Sequence, residues 1–141
     1  MQWLAEAPTD QPATLHHVAI VVRDLDAARS RYETLGFKAA SQESIASQGV
    51  HVVTMKAGHG WVELISPTDP ESPISRFLAN RGEGLHHVAY RVSALESWLE
   101  RLDAAGLRLI DRVPRTGAHG WRIAFIHPES CAGVLTELVE E

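Results

Sequence analysis

The chain has 141 residues, of which 45% are hydrophobic and 22% are charged, and its formal net charge at pH 7 is −5. This composition is typical of a globular protein and argues against disorder. The acidic balance, without a stripe of Lys and Arg, disfavours nucleic acids and anionic membranes as partners. The single Cys131 cannot form an internal disulfide, and no membrane span or secretion signal is evident, so we expect a cytoplasmic protein.

The chain opens with a polar, Pro-containing segment, residues 1–14, which we interpret as a mobile N-terminal arm. Residues 15–141 are predicted to form a single domain that contains an internal duplication. The pentapeptide Leu-His-His-Val-Ala occurs at Leu15–Ala19 and again seventy positions later at Leu85–Ala89. The same offset relates further residues of the two copies, namely Val22 to Val92, Leu25 to Leu95 and Gly36 to Gly106.

The first repeat, about residues 15–67, begins with a predicted strand that carries the first pentapeptide. A helix follows, with Asp24 as its N-cap and Gly36 after its end. Its expected apolar stripe consists of Leu25, Ala28, Tyr32 and Leu35. Three strands complete the repeat, with a tight hairpin at residues 58–60, and are predicted at Phe37–Glu43, Val50–Lys56 and Trp61–Ser66.

A short linker helix is predicted at about residues 72–82, with a Ser cap, a Pro at its first position and a Gly at its end. The second repeat, about residues 85–139, repeats the order of the first. Its helix opens with a capping-box pattern at Ser93–Glu96 and is expected to bury Leu95, Trp98, Leu99 and Leu102. Three strands follow, with a hairpin between Arg115 and Gly120, and are predicted at Leu107–Arg112, Trp121–His127 and Val134–Val139. The fold class is therefore α+β, with two pseudo-symmetric βαβββ modules.

Strand alternation selects one histidine from each pentapeptide. Val18, Ile20 and Val22 share one strand face, which we expect to pack on the helix, so His17 points to the other face. The same argument selects His87 in the second copy. We expect the preceding histidines, His16 and His86, to face solvent or the sheet edge.

Each repeat also ends in an apolar strand with one carboxylate, Glu63 in the first and Glu137 in the second. An ionised Glu between apolar residues needs a strong compensating partner, and a metal ion is one. Taken singly, such a His or Glu is more often structural or solvent-facing. Four residues of ligand type, related by a repeat, instead favour a two-nitrogen, two-oxygen site for a divalent cation. Water or substrate oxygens would complete its coordination.

The chain resembles the vicinal-oxygen-chelate superfamily, and within it the methylmalonyl-CoA epimerases. The resemblance covers about residues 15–140. It is carried by the following segments: His-His-Val-Ala in the first strand, Val-Glu-Leu-Ile-Ser-Pro-Thr at 62–68, Ser-Pro-Ile-Ser-Arg-Phe-Leu at 72–78, Gly-Glu-Gly-Leu-His-His-Val-Ala at 82–89, Leu-Ile-Asp at 109–111, Pro-Arg at 114–115, Ile-Ala-Phe-Ile-His-Pro at 123–128 and Gly-Val-Leu-Thr-Glu-Leu at 133–138.

This resemblance implies a vicinal-oxygen-chelate fold, in which a U-shaped, partly open sheet surrounds a metal site. It also implies a homodimer, an acyl-CoA substrate and the same four metal ligands, His17, Glu63, His87 and Glu137. Cobalt or manganese is the metal expected of the family, while the ligand set alone would permit nickel or zinc. The implied reaction is epimerisation of methylmalonyl-CoA by removal and return of the α-proton through a metal-stabilised enolate, with Glu137 as a catalytic carboxylate.

The chain departs from the family where those epimerases carry a second catalytic Glu. The aligned stretch is Ala46-Ser47-Gln48, so Ser47 occupies that position, and a serine hydroxyl is too weak a base alone. A relayed water or Gln48 would then have to assist, and Arg115 is a further candidate for binding the anionic substrate. The alternatives are a glyoxalase-type isomerase, an epimerase of another acyl-CoA, or a non-catalytic binder on the same scaffold.

Overall fold

The first repeat folds as a strand and a helix followed by three strands, as its sequence predicts. In the computed structural model, which describes residues 12–141, these elements are β1 (Thr14–Val21), α1 (Leu25–Thr34), β2 (Lys38–Ile45), β3 (Val50–Ala57) and β4 (Gly60–Pro67). The strand order is β2-β3-β4-β1, with β1 parallel to β4 and the other neighbours antiparallel. Residues 1–11 of the predicted arm lie outside the described residues, and Thr14 already begins β1.

The linker helix and the second repeat follow. Their elements are α2 (Pro73–Arg81), β5 (Gly84–Arg91), α3 (Leu95–Ala104), β6 (Arg115–Thr116), β7 (Arg122–Ile126) and β8 (Thr136–Glu140). The strand order of this repeat is β5-β8-β7-β6, again with a parallel pair, β5 and β8, beside antiparallel ones. The predicted α+β class with two βαβββ modules is confirmed. In the described part of the chain no helix is long and apolar enough to cross a membrane.

Contacts within the chain divide it into two units. The first unit is His17–His86, and the second combines the described residues up to His16 with His87–Glu141. Both boundaries fall between the two histidines of a Leu-His-His-Val-Ala pentapeptide.

The internal duplication extends to the register of the parallel strand pairs. In the first unit Ala19 of β1 is paired with Glu63 of β4, and in the second Ala89 of β5 is paired with Glu137 of β8. Each of these alanines follows the second histidine of its pentapeptide by two residues. Because residues two apart share a strand face, each Glu lies on the same sheet face as the histidine of its own unit.

In each unit the opposite face of the strands carries a helix. In the first unit α1 packs on a buried cluster made of Val22, Val53, Met55, Val62 and Leu64. In the second unit α3 contributes to a cluster made of Val92, Leu95, Leu99, Leu102, Ala124, Ile126 and Leu138. His17 and His87 therefore face away from these helices, as strand alternation predicts.

Two expectations about helix ends and faces are wrong. Leu35 is 68% exposed, because α1 ends at Thr34 and Leu35 is only its C-cap. The capping box at Ser93–Glu96 does not form. The N-cap is instead Ala94, with φ 55, and its methyl group cannot accept a hydrogen bond from the helix. The carboxylate of Glu140, at the end of β8, instead accepts a hydrogen bond from the Leu95 N–H at 3.3 Å.

The predicted strand Leu107–Arg112 is also wrong, since only an isolated bridge between Leu109 and Ile126 remains of it. The cause is the side chain of Asp111, whose Oδ2 accepts the Phe125 N–H at 2.9 Å. A side-chain carboxylate thus takes the place that a backbone carbonyl would occupy in a regular ladder. The strand that pairs with β7 beyond this point is the two-residue β6.

Leu99 tests the core of the second unit. Its side chain is 2% exposed, so replacement by Ala should leave a cavity and lower the free energy of unfolding by about 2–5 kcal/mol. The matched control is Leu35→Ala, which removes an exposed leucine at the C-cap of α1 and should change stability by less than about 0.5 kcal/mol. Urea denaturation of both variants measures the difference, and equal losses would contradict this packing.

Candidate metal centre and active site

The first unit brings together His17 and Glu63. Their side chains are almost fully buried, and His17 Nε2 lies 3.5 Å from Glu63 Oε1. This distance is longer than an ordinary hydrogen bond. Metal–ligand bonds of about 2.1 Å hold neighbouring donor atoms about 3.0–3.4 Å apart, so the spacing suits two ligands of one ion. The pair arises because β1 and β4 are parallel and place Ala19, a small residue, directly beside Glu63.

The second unit repeats this arrangement with His87 and Glu137. Both residues are again buried, and His87 Nε2 lies 3.6 Å from Glu137 Oε2. Phe125, the β7 neighbour of Glu137, meets the His87 ring edge-on with 5.2 Å between ring centroids. This contact restricts the orientation of the imidazole. The two repeats therefore present the same donor pair at nearly the same separation.

Burial sets the protonation of these groups. It lowers the pKa of His17, although the neighbouring Glu63 carboxylate opposes part of that effect, so the imidazole is neutral near pH 7. Burial also raises the pKa of Glu137 to about 8, against the opposing charge of Arg115 and with a smaller contribution from Asp111. A neutral imidazole is the form that binds metal, and a carboxyl group with such a pKa exchanges its proton readily near neutral pH.

The raised pKa of Glu137 makes the stability of the metal-free protein depend on pH. The native carboxyl holds its proton up to about pH 8, whereas the unfolded chain releases it near 4.5. Because the native state binds more protons in this window, its stability should fall as pH rises through it. Urea denaturation with a chelator present, at several pH values across the window, measures the effect. Glu137→Gln should lose this part of the pH dependence, and an unchanged profile would contradict the assignment.

The donor set fits a divalent cation. Each unit offers one imidazole nitrogen and one carboxylate, and these donor types suit divalent first-row metals. Two carboxylates at about 6% and 5% exposure also need a compensating positive charge.

The surroundings of both glutamates on the sheet are mainly apolar. Thr54, which is fully buried, is the β3 neighbour of Glu63, and Phe125 takes the corresponding place beside Glu137. The same faces carry buried hydrophobic clusters, which consist of Ala19, Val21, Val50, Val52, Ile65 and Ile74 in the first unit and of Ala89, Ile123, Phe125 and Val139 in the second. Charges in such surroundings interact more strongly than in water.

The position expected for a second catalytic carboxylate is exposed. Ser47 lies in the 3₁₀ helix Ala46–Gln48, between β2 and β3, and its side chain is open to solvent. Gln48 is half-buried and is followed by Gly49 in a left-handed conformation with φ 63. Glu43 lies in the middle of β2 and is also half-buried. The only acidic side chain among these residues, Glu43, is therefore on a different element from Ser47.

Arg115 has a partner that the sequence did not indicate. Its Nε lies 3.3 Å from Asp111 Oδ2, and its guanidinium lies over the Phe125 ring, 5.2 Å from the centroid. Asp111 falls in a segment predicted as a regular strand, where its side chain would make no backbone contact. The pattern of residues contains no signal for this arrangement, which depends on the hydrogen bond to Phe125.

The first histidines of the two pentapeptides are not solvent-facing, contrary to expectation. His16 is 4% exposed, with Nε2 at 2.6 Å from Glu141 Oε1 and its ring edge-on to Trp121. His86 is half-buried against Phe77, and burial together with the charge of Arg81 lowers its pKa to about 4. For His16 the expectation failed because Trp121 and Glu141, which cover it, lie far away in the chain.

Comparison with known proteins identifies relatives over most of the chain. The model of the glyoxalase/bleomycin resistance protein/dioxygenase superfamily matches residues 16–125. An uncharacterized Bacillus subtilis protein, YqjC, is 43% identical over 127 residues, which cover 89% of this chain and 91% of the relative. An ethylmalonyl-CoA/methylmalonyl-CoA epimerase of Cereibacter sphaeroides is 38% identical, covering 88% and 95% of the two chains. A solved methylmalonyl-CoA epimerase in complex with methylmalonyl-CoA and NH4+ superposes with a TM-score of 0.88 at 34% identity, covering 93% and 96%.

Proposed function

Because the chain belongs to the glyoxalase/bleomycin resistance protein/dioxygenase superfamily, we propose that it is a metal-dependent epimerase of methylmalonyl-CoA. Its similarity to named epimerases over nearly its whole length makes it an enzyme of the isomerase class. The observation that carries the proposal is the repeated buried His–Glu pair, which provides both metal donors and a carboxyl group suited to proton transfer.

The metal ligands in this proposal are His17, Glu63, His87 and Glu137, which together hold one divalent ion. Cobalt or manganese is the preferred ion, with nickel or zinc as alternatives that the same donors accept. When bound, such an ion supplies positive charge that offsets the negative charge developing on the substrate as its α-proton leaves.

Glu137 is the proposed acid/base. Its carboxyl group accepts the α-proton in one direction and returns it in the other. The apolar residues around it exclude water from the proton that is being moved. On the opposite face of the substrate Ser47 supplies no base, so a water molecule, with assistance from Gln48, would complete the inversion.

Nuclear magnetic resonance in D2O tests the function directly. Metal-loaded protein is mixed with methylmalonyl-CoA, and exchange of the α-hydrogen is followed together with a chiral assay of inversion. Exchange with inversion is the expected result. Exchange with retention would mean that only one face has a working base, and Ser47→Glu should then restore inversion. Absence of exchange in metal-loaded protein would contradict the proposal.

Three alternative functions can be tested by offering the protein other substrates under the same conditions. A glyoxalase-type isomerase would act on a thiol adduct of an oxoaldehyde rather than on an acyl-CoA. The relative from Cereibacter sphaeroides is named for ethylmalonyl-CoA as well as methylmalonyl-CoA, which favours including both thioesters as substrates. If the protein binds acyl-CoA but exchanges the α-hydrogen of neither thioester, it is a non-catalytic binder on this scaffold.

We also propose a homodimer in the cytoplasm. The dimer follows from the resemblance to the epimerases, and the location follows from a single cysteine, Cys131, that can remain reduced. Light scattering after size exclusion should yield twice the 15.5 kDa mass of one chain. A mass of one chain at micromolar concentration would contradict the dimer.

A further inference from the structure

Arg115 extends from β6 at a place where several parts of the second unit meet. Its guanidinium lies over the Phe125 ring, and the edge of the His87 ring touches the same phenylalanine. Phe125 is in turn the β7 neighbour of Glu137. A positive charge therefore stands beside the His87–Glu137 pair.

Asp111 fixes this guanidinium from one side. Its Oδ2 lies 3.3 Å from Arg115 Nε and also accepts the Phe125 N–H at 2.9 Å, so the carboxylate is tied to the β7 backbone. The side chain of Asp111 is 17% exposed, whereas that of Arg115 is 47% exposed and open to a ligand. A guanidinium has five N–H donors, so a contact through Nε leaves the other donors for a second anion.

The electrostatics of the centre call for such a cation. The chain carries a net charge of −5, so a substrate that brings a free carboxylate needs a local positive charge where it binds. The planar guanidinium of Arg binds carboxylates with two parallel hydrogen bonds, which an ammonium group does not match. A fixed Arg115 thus distinguishes a thioester with a free carboxylate from one without it.

We propose that Arg115 binds the free carboxylate of a malonyl-type thioester and that Asp111 is the positioning residue that orients its guanidinium. The inference rests on the proposed function, since it assigns the substrate class of the same site. It makes Arg115 a specificity-determining residue: thioesters with an α-carboxylate are selected, and simple acyl thioesters of the same length are not.

Calorimetric titration of metal-loaded protein with two ligands tests the inference. Malonyl-CoA carries the carboxylate, and propionyl-CoA lacks it. Arg115→Ala should weaken malonyl-CoA binding by about 10- to 100-fold and change propionyl-CoA binding by less than about 3-fold. Arg115→Lys keeps the positive charge but cannot form the two parallel hydrogen bonds of a guanidinium. This variant should recover part of the malonyl-CoA affinity that Arg115→Ala loses. Arg112→Ala is the matched control, since Arg112 is more exposed and pairs with Asp103 at 3.0 Å.

Asp111→Asn tests the positioning role. The asparagine side chain can still accept the Phe125 N–H, so the loop should stay in place while the charge beside Arg115 Nε is lost. Malonyl-CoA binding should weaken by about 3- to 10-fold, again without a matching loss for propionyl-CoA. A variant that binds both ligands as well as the original protein would overturn the role of Asp111.

The outcomes separate this inference from the proposed function. An equal loss for both thioesters in Arg115→Ala and in Arg115→Lys would overturn carboxylate recognition and leave the epimerase proposal standing. Arg115-dependent selectivity without α-hydrogen exchange would support the inference while the epimerase proposal fails. If the unmodified protein binds neither thioester, both are overturned.

Discussion

Replacing Glu137 by Gln should lower the rate of α-hydrogen exchange in methylmalonyl-CoA by about 10²- to 10⁴-fold, the range typical of a lost general acid/base. The amide keeps an oxygen donor and nearly the same volume, but it cannot accept the α-proton. Exchange followed by nuclear magnetic resonance in D2O, at saturating metal, measures the loss.

The repeat supplies a matched control for this variant. Glu63 occupies the corresponding position of the first unit, is equally buried and lies at nearly the same distance from its histidine. In the proposal Glu63 is a metal ligand that transfers no proton. Glu63→Gln should therefore require a higher metal concentration for saturation, but it should keep most of the exchange rate once it is saturated with metal. Equal rates for the two variants would contradict the assignment of Glu137, as would full activity of Glu137→Gln.

Much of the candidate site could be predicted because its residues follow from local periodicity. Alternation along β1 and β5 selected His17 and His87, and a lone Glu within an apolar strand selected Glu63 and Glu137. Each of these arguments uses only neighbours within a few residues, and the structure confirms the strand faces they require. The duplication predicted the second His–Glu pair, because each ligand-type residue of one repeat has a counterpart in the other.

The missed features depend on contacts between distant residues. Burial of His16 comes from Trp121 and Glu141, which are more than a hundred residues away in the chain. The N-terminus of α3 is capped by Glu140 from β8, so the nearby Ser93 is not needed for that purpose. Asp111 breaks a predicted strand through a side-chain hydrogen bond to β7. No pattern within one segment contains such information.

His87→Ala should remove tight metal binding altogether. Loss of residues that merely orient metal ligands costs about 10- to 100-fold in affinity, so loss of a ligand should exceed that range. Neutral imidazole is the binding form and Glu137 must lose its proton, so affinity of the unmodified protein should rise with pH up to about 8. Calorimetric titration with Co2+ measures both effects.

His86→Ala is the matched control, because it removes the preceding histidine of the same pentapeptide. His86 packs against Phe77 and should leave the metal affinity unchanged. The stoichiometry then decides whether the two donor pairs act together. If one ion is shared by His17, Glu63, His87 and Glu137, either His17→Ala or His87→Ala abolishes all binding. If each His–Glu pair bound its own ion, either variant would retain one of two ions, and the single four-ligand centre would be refuted.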